Sequence, residues 1–124
     1  MSLKLFDSKT QSLKDFVPLE KGKVGIYLCG PTVQSMPHLG HLRSALVYDQ
    51  LVRWLQAMGN DVTLIRNVTD IDDKVLDNAK AEYRSWWGLA FECEQAFANA
   101  YRKINIATPT YEPRATGNIM EMIE

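Results

Sequence analysis

The order of three segments constrains this chain more than any other feature. "KVGIYLCG" carries Val24, Ile26, Tyr27 and Leu28 in a short apolar run closed by Gly30-Pro31, and "DVTLIRNV" from Asp61 is a second, β-branched run. Both have the length and composition of buried strands. Between them Val47, Leu51, Trp54, Leu55 and Met58 recur at helical spacing and Gly59-Asn60 supplies a stop, so an amphipathic helix is expected from Leu39 to Met58. Strand, helix and strand in that order make a βαβ unit whose two strands lie parallel. Parallel sheets normally carry helices on both faces, and "DDKVLDNAKAEYR" and "WWGLAFECEQAFANAYRKI" are the next helical segments. In the second, Cys93, Phe97 and Tyr101 share a face, with Ile104 close by. The fold class is α/β.

The flanks are less regular. "LKLFDSKTQSLKDFVPLE" reads as a short strand near Leu3 to Phe6, a polar turn, and a second extended piece that Pro18 keeps out of a helix. Two parallel strands do not complete a sheet: either these N-terminal strands complete it in part, or the remainder lies downstream of Glu124. "ATPTYEPRAT" reads as a connection, with a last helix starting near Ala115 or Thr116. That helix has Ile119, Met120 and Ile123 at helical spacing but no glycine cap, basic last turn or breaker, so a cut inside a helix is expected, residues 1–124 being the N-terminal piece of a longer protein.

Composition narrows the function classes. A chain of 124 residues, 46% of them hydrophobic, supplies the core of one domain. Lys plus Arg is 14 against 15 for Asp plus Glu, so there is no global basic field, and a nucleic-acid partner would have to be met by a local patch. The apolar runs fall well short of the roughly 18 residues of a membrane span, and two distant cysteines without a CxxC fit a reducing compartment. A cytoplasmic location and no membrane partner are expected.

Both histidines of the chain, His38 and His41, flank Leu39-Gly40 where a loop gives way to the first helix. The first turn of a helix presents unpaired N–H groups and the positive end of its dipole, a natural site for phosphate. Imidazoles at i and i+3 emerge on one face of that turn and can donate to phosphate oxygens as charge develops on phosphorus. Gly40 removes a side chain where a nucleotide would press closest, and Gly30 leaves room for a ligand across the strand end, at the switch point of an open sheet. Two other readings compete: the histidines cap the helix, or Cys29, His38 and His41 ligate a metal, although that trio lacks a fourth ligand.

At these residues the chain resembles a known family. "HLGH" after a strand is similar to the HIGH signature of class I aminoacyl-tRNA synthetases, and "YLCGPTVQSMPHLGHLRS", "RNVTDIDDK" and "EPRAT", in that order, resemble the cysteinyl-tRNA synthetases in particular. The resemblance implies an incomplete first half of a Rossmann-like (HUP-type) nucleotide-binding fold with parallel strands and flanking helices. It implies ATP-driven, Mg²⁺-assisted activation of L-cysteine to an adenylate and transfer to tRNA(Cys). On matching positions His38 and His41 would be catalytic, stabilising the phosphates, and Gly30, Thr32 and Gly40 would join them in binding ATP. Cys29, Gly30 and Thr69 would meet the substrate cysteine. Cys29 would also ligate a Zn²⁺ that takes the substrate thiolate, a soft-ligand preference that rejects serine. The remaining zinc ligands would lie downstream, as would the lysine-rich loop of the second family signature, so the 124-residue piece alone is expected to be inactive and to bind zinc weakly or not at all.

Other features are open to plainer readings. Asp70, Asp72 and Asp73 could hold magnesium or act as acid and base, but helix capping is the commoner use of such a cluster. Trp86-Trp87 could stack on a base, or anchor a helix start. Cys93 reads as core. Arg114 matches a family block, whereas "TGNI" after it departs from the usual histidine. Two rival functions share the HxGH turn: a mycothiol-pathway ligase passing cysteine to an aminosugar-inositol acceptor, against which Lys74 stands, and a simple nucleotidyltransferase, against which Cys29 and "EPRAT" stand.

Overall fold

The computed structural model of the chain describes residues 3–123. Strand β1 (Lys4–Asp7) pairs antiparallel with β2 (Ser12–Asp15), Phe6 opposite Leu13. This hairpin is a sheet of its own and adds nothing to the parallel one. Strand β3 (Lys23–Leu28), helix α1 (Leu39–Ala57) and strand β4 (Asp61–Arg66) form the expected βαβ unit, with β3 and β4 parallel and in register from Lys23 opposite Asp61 to Leu28 opposite Arg66. Gly59, at φ +85°, ends α1 in the left-handed region open to glycine, and Asn60 Nδ2 donates to Leu55 O at 3.0 Å.

The parallel sheet has a third lane that the sequence reading took for a connection. Tyr111 bridges Ile65 and Arg114 bridges Val68, both parallel. Arg66 N–H donates to Tyr111 O at 3.0 Å and Val68 N–H to Pro113 O at 2.9 Å, while Thr110 N–H donates to Leu64 O at 2.8 Å. Pro109 and Pro113 hide this lane from a pattern search, since proline donates nothing to a ladder and is found at sheet edges.

One further expectation is corrected by packing. The stripe Val47, Leu51, Trp54 and Met58 is not the core face of α1; of the predicted set only Leu55 is fully buried, beside Ala45, Asp49 and Val52, while Val47, Trp54 and Met58 are exposed. Periodicity weighs apolar side chains and misses a core face built partly from an alanine and an aspartate. Asp49 is buried because its carboxylate is fully used: Arg53 Nε donates to Oδ2 at 2.7 Å and Ala107 N–H to Oδ1 at 2.9 Å. Among the described residues α1 covers one face of the parallel sheet. Leu28, Val52 and Leu64 form a cluster with Ile26, Tyr48 and Val62 beneath α1, whereas Gly25 and Tyr27 on the opposite face are exposed.

Helices α2 (Asp73–Ala81) and α3 (Trp86–Lys103) pack together beyond the strand ends, around Val33, Val68, Val75, Leu89, Cys93 and Phe97. Cys93 is core, as expected, and burial pushes its thiol pKa up. The apolar residue closing this cluster after α3 is Ile106, not Ile104, because Asn105 at φ +60° turns the chain back inward. A 3-10 turn (Thr116–Asn118) leads into α4 (Ile119–Ile123), whose side chains are exposed; the expected cut at Glu124 lies outside the described residues. Among the described residues no helix is long and apolar enough to cross a membrane.

Candidate active site

His38 is the N-cap of α1, with extended backbone. Its Nδ1 accepts the N–H of Gly40 at 3.1 Å, and Nδ1 of His41 accepts the N–H of His38 at 3.2 Å. The two rings lie 3.9 Å apart, and His41 meets Phe97 of α3 edge-on at 5.0 Å. So the capping reading is correct as far as it goes, and it has a chemical corollary. An imidazole accepting at Nδ1 carries its proton on Nε2, leaving that N–H to point away from the helix as a donor. Burial, followed by the neighbouring His38, lowers the pKa of His41 from its ordinary 6.5, so the neutral donor form prevails at neutral pH.

The glycines serve the chain before any ligand. A Cβ on Gly30 would lie 1.6 Å from the carbonyl oxygen of Asn67, whose Oδ1 also accepts the Gly30 N–H at 2.9 Å. The missing side chain is therefore demanded by β3 and β4 closing on each other at their ends. A Cβ on Gly40 would meet only the His38 ring, at 3.0 Å, so glycine there lets the cap close.

Just beyond, Thr32 bridges Thr69, with Val33 N–H donating to Thr69 O and Thr69 N–H to Pro31 O, each at 3.1 Å. The loops after β3 and β4 are thus held side by side. Cys29, Gly30 and His41 line one small cavity of about 90 Å³ with Ser44, Arg66 and Tyr101. His38 and Gly40 stand at the adjoining helix start, while Thr32 and Thr69 do not line this cavity.

Cys29 is an exposed free thiol, 3.9 Å from Gly30 O. Its softness suits a metal such as zinc, while among the described residues no three of His, Cys, Asp and Glu gather as a metal site.

Three residues of this region are not among the site residues expected from the sequence: Arg66, Glu112 and Tyr101. Arg66 is buried, its Nη2 donating to Glu112 Oε1 at 2.6 Å and its guanidinium 4.2 Å from the Tyr101 ring. Glu112 and Tyr101 thus hold the cavity wall from the third lane and from α3. In the sequence, Arg66 opens RNVTDIDDK and Glu112 opens EPRAT, but nothing in their spacing pairs them.

The acidic cluster does what capping requires. Asp72 Oδ1 accepts Lys74 N–H at 2.9 Å as the N-cap of α2, and Asp73 lies in its first turn. Asp70 is buried and accepts both the N–H and the hydroxyl of Thr116. Arg114 donates twice to Glu94 Oε1, at 3.0 and 2.9 Å. Asn118, in the segment that departs from the family block, closes the turn onto Arg114 O at 2.7 Å. Trp86 packs against the core as a helix-start anchor, while Trp87 is exposed.

A parallel α/β sheet whose crossover helix opens on a histidine-capped HxGH turn defines a Rossmann-like catalytic domain. Residues 15–124 match the model of the tRNA synthetases class I (C) catalytic domain, and the chain belongs to that family. It is 62% identical to a cysteine–tRNA ligase of Clavibacter michiganensis subsp. michiganensis over 100% of its length and 27% of that protein's. It is 58% identical to that of Beutenbergia cavernae (100% and 26%) and 50% identical to that of Streptomyces coelicolor (100% and 20%). The chain thus spans about a quarter of the length of these relatives.

Proposed function

We propose that the protein carrying this chain is a cysteine–tRNA ligase. In this reading residues 1–124 belong to its catalytic domain, which uses ATP with Mg²⁺ to activate L-cysteine as an adenylate and passes it to tRNA(Cys) in the cytoplasm. The observation that carries it is the convergence of the exposed Cys29 thiol and His41 on one cavity at the strand ends, beside the His38 cap. The relatives named above are all cysteine–tRNA ligases, which favours this reading over the aminosugar ligase and the simple nucleotidyltransferase.

Each residue then has a physical task. The Nε2–H groups of His38 and His41 donate to ATP phosphate oxygens as the amino-acid carboxylate attacks the α-phosphorus and pyrophosphate leaves, stabilising charge that grows in the transition state. Because both Nδ1 atoms are occupied by backbone N–H groups, these donors are oriented before ATP arrives. Gly40 offers its bare backbone to the nucleoside, and Thr32 adds a hydroxyl toward the phosphates. Gly30 and Thr69 meet the cysteine substrate, whose carboxylate needs no base because it is already ionised.

Cys29 would contribute one thiolate to a Zn²⁺ that, when bound, selects a thiol over a hydroxyl side chain. No step above runs through that ion.

The test is pyrophosphate exchange into ATP by the protein at its natural length, with cysteine or serine. Exchange that requires cysteine and ignores serine is expected. Cysteine-independent exchange, or none, overturns the reading.

A further inference from the structure

The two histidines at the start of α1 are held differently. His38 is exposed, and among the described residues the one ring it meets is that of His41. His41 is half-buried and has a second ring against it: Phe97, buried on α3, meets it with centroids 5.0 Å apart and planes at 69°.

Phe97 is itself fixed. It belongs to the core cluster with Leu89 and Cys93, and Tyr101, one helical turn on, lies 6.0 Å from it, centroid to centroid. The Arg66 guanidinium stands 4.2 Å over the Tyr101 ring, and Glu112 holds Arg66 from the third lane of the sheet. A row of contacts thus runs from that lane through α3 to the His41 ring, and it is complete within residues 41–112.

An imidazole that is to donate in one direction needs two constraints. The His38 N–H on Nδ1 of His41, at 3.2 Å, fixes the tautomer but leaves the ring free to rock about that bond. A ring packed edge-on against it removes that freedom. Phe97 does not line the cavity shared by Cys29 and His41, so it reaches a ligand there only through His41.

We infer that Phe97 is a positioning residue for the adenylation step: its ring sets the orientation of His41 and so aims the Nε2–H into the cavity at the strand ends. This rests on the role proposed for His41 and deepens it. Leucine in place of Phe97 would fill the core with apolar volume but give no ring contact, so a positioning residue and a purely structural one respond differently to that change.

The experiment is a double-mutant cycle in the protein at its natural length. Phe97→Leu is made in the parent and in His41→Asn, and kcat and KM of cysteine-dependent pyrophosphate exchange are measured for each. In the parent, Phe97→Leu should lower kcat about tenfold, less than the roughly 100-fold lost when such a donor is removed outright. KM for ATP and for cysteine should stay within about twofold, because the contact acts on the transition state. In His41→Asn the same change should alter kcat by less than about twofold, since the group it orients is gone. Equal losses in the two backgrounds would make Phe97 core and nothing more; a change confined to KM, or no change, would also overturn the inference. Phe97→Met, whose flexible chain repacks readily, takes the place of the leucine variant if that one fails to fold.

A second readout does not need the reaction. With ¹⁵N-labelled histidine, the His41 ring nitrogens, assigned by their absence in His41→Asn, should report a single Nε2–H tautomer in the parent and an averaged one in Phe97→Leu. Unchanged nitrogen shifts would overturn the inference. Shifts that move as expected in a parent protein with no cysteine-dependent exchange would overturn the proposed function alone, with Phe97 still shown to set the His41 ring.

Discussion

Gly30 and Asn67 meet where β3 and β4 end: the Gly30 N–H donates to the Asn67 side-chain Oδ1 at 2.9 Å, and a Cβ on Gly30 would sit 1.6 Å from the Asn67 backbone carbonyl oxygen. No flexible side chain can relieve that overlap. Gly30→Ala should therefore destabilise the chain by about 3 kcal/mol, the upper range of overpacking costs. The urea midpoint measures this; an unchanged midpoint would show that the strand ends can part.

The cap and the proposed chemistry of His38 can be separated. Asparagine is a strong N-cap residue, so His38→Asn should hold stability within about 0.5 kcal/mol of the parent chain. Lacking the outward Nε2–H, it should lower cysteine-dependent exchange about 100-fold, the usual loss when one preorganised donor to a transition state is removed. Equal activity in the two proteins would leave His38 a cap and nothing more.

Stability should depend on pH through His41. Its folded pKa is depressed below the ordinary 6.5, first by burial and then by His38, so the unfolded chain binds the proton more readily. The stabilising contribution is complete above about pH 6.5 and is lost as pH falls through the lowered folded value. Protonation also occupies Nδ1, which then cannot accept the His38 N–H. Denaturation midpoints between pH 8 and 5 should fall, and His41→Asn should flatten the part of that slope near and below pH 6.5.

Glu112 holds buried Arg66 and with it the third lane. Glu112→Gln leaves the guanidinium without its counter-charge. Because Glu112 is itself partly exposed, the cost should be about 2 kcal/mol, below that of breaking a fully buried pair. Hydrogen exchange at the Arg66 and Val68 amides, which donate to Tyr111 and Pro113, should quicken before the rest of the sheet. Uniform loosening would mean that the lane does not depend on this pair.

What the sequence determined by itself is local. Helix α1 begins at Leu39 and gives out at Ala57 because a capping residue and Gly59 mark its ends, and β3 and β4 are short apolar runs that a helical crossover forces to be parallel. The HLGH turn and its neighbours were legible as a site because both histidines fall at one helix start. Tertiary structure decided what is non-local. Which stripe of α1 faces the core depended on Asp49 finding Ala107, and the third lane depended on Arg66 finding Glu112, partners 58 and 46 residues apart. The close fit of Gly30 against Asn67 likewise joins residues 37 apart in the chain. Caps, turns and periodicity act within a few residues of chain and can be read along it, whereas buried charge pairing and steric closure join residues that only the folded backbone brings together.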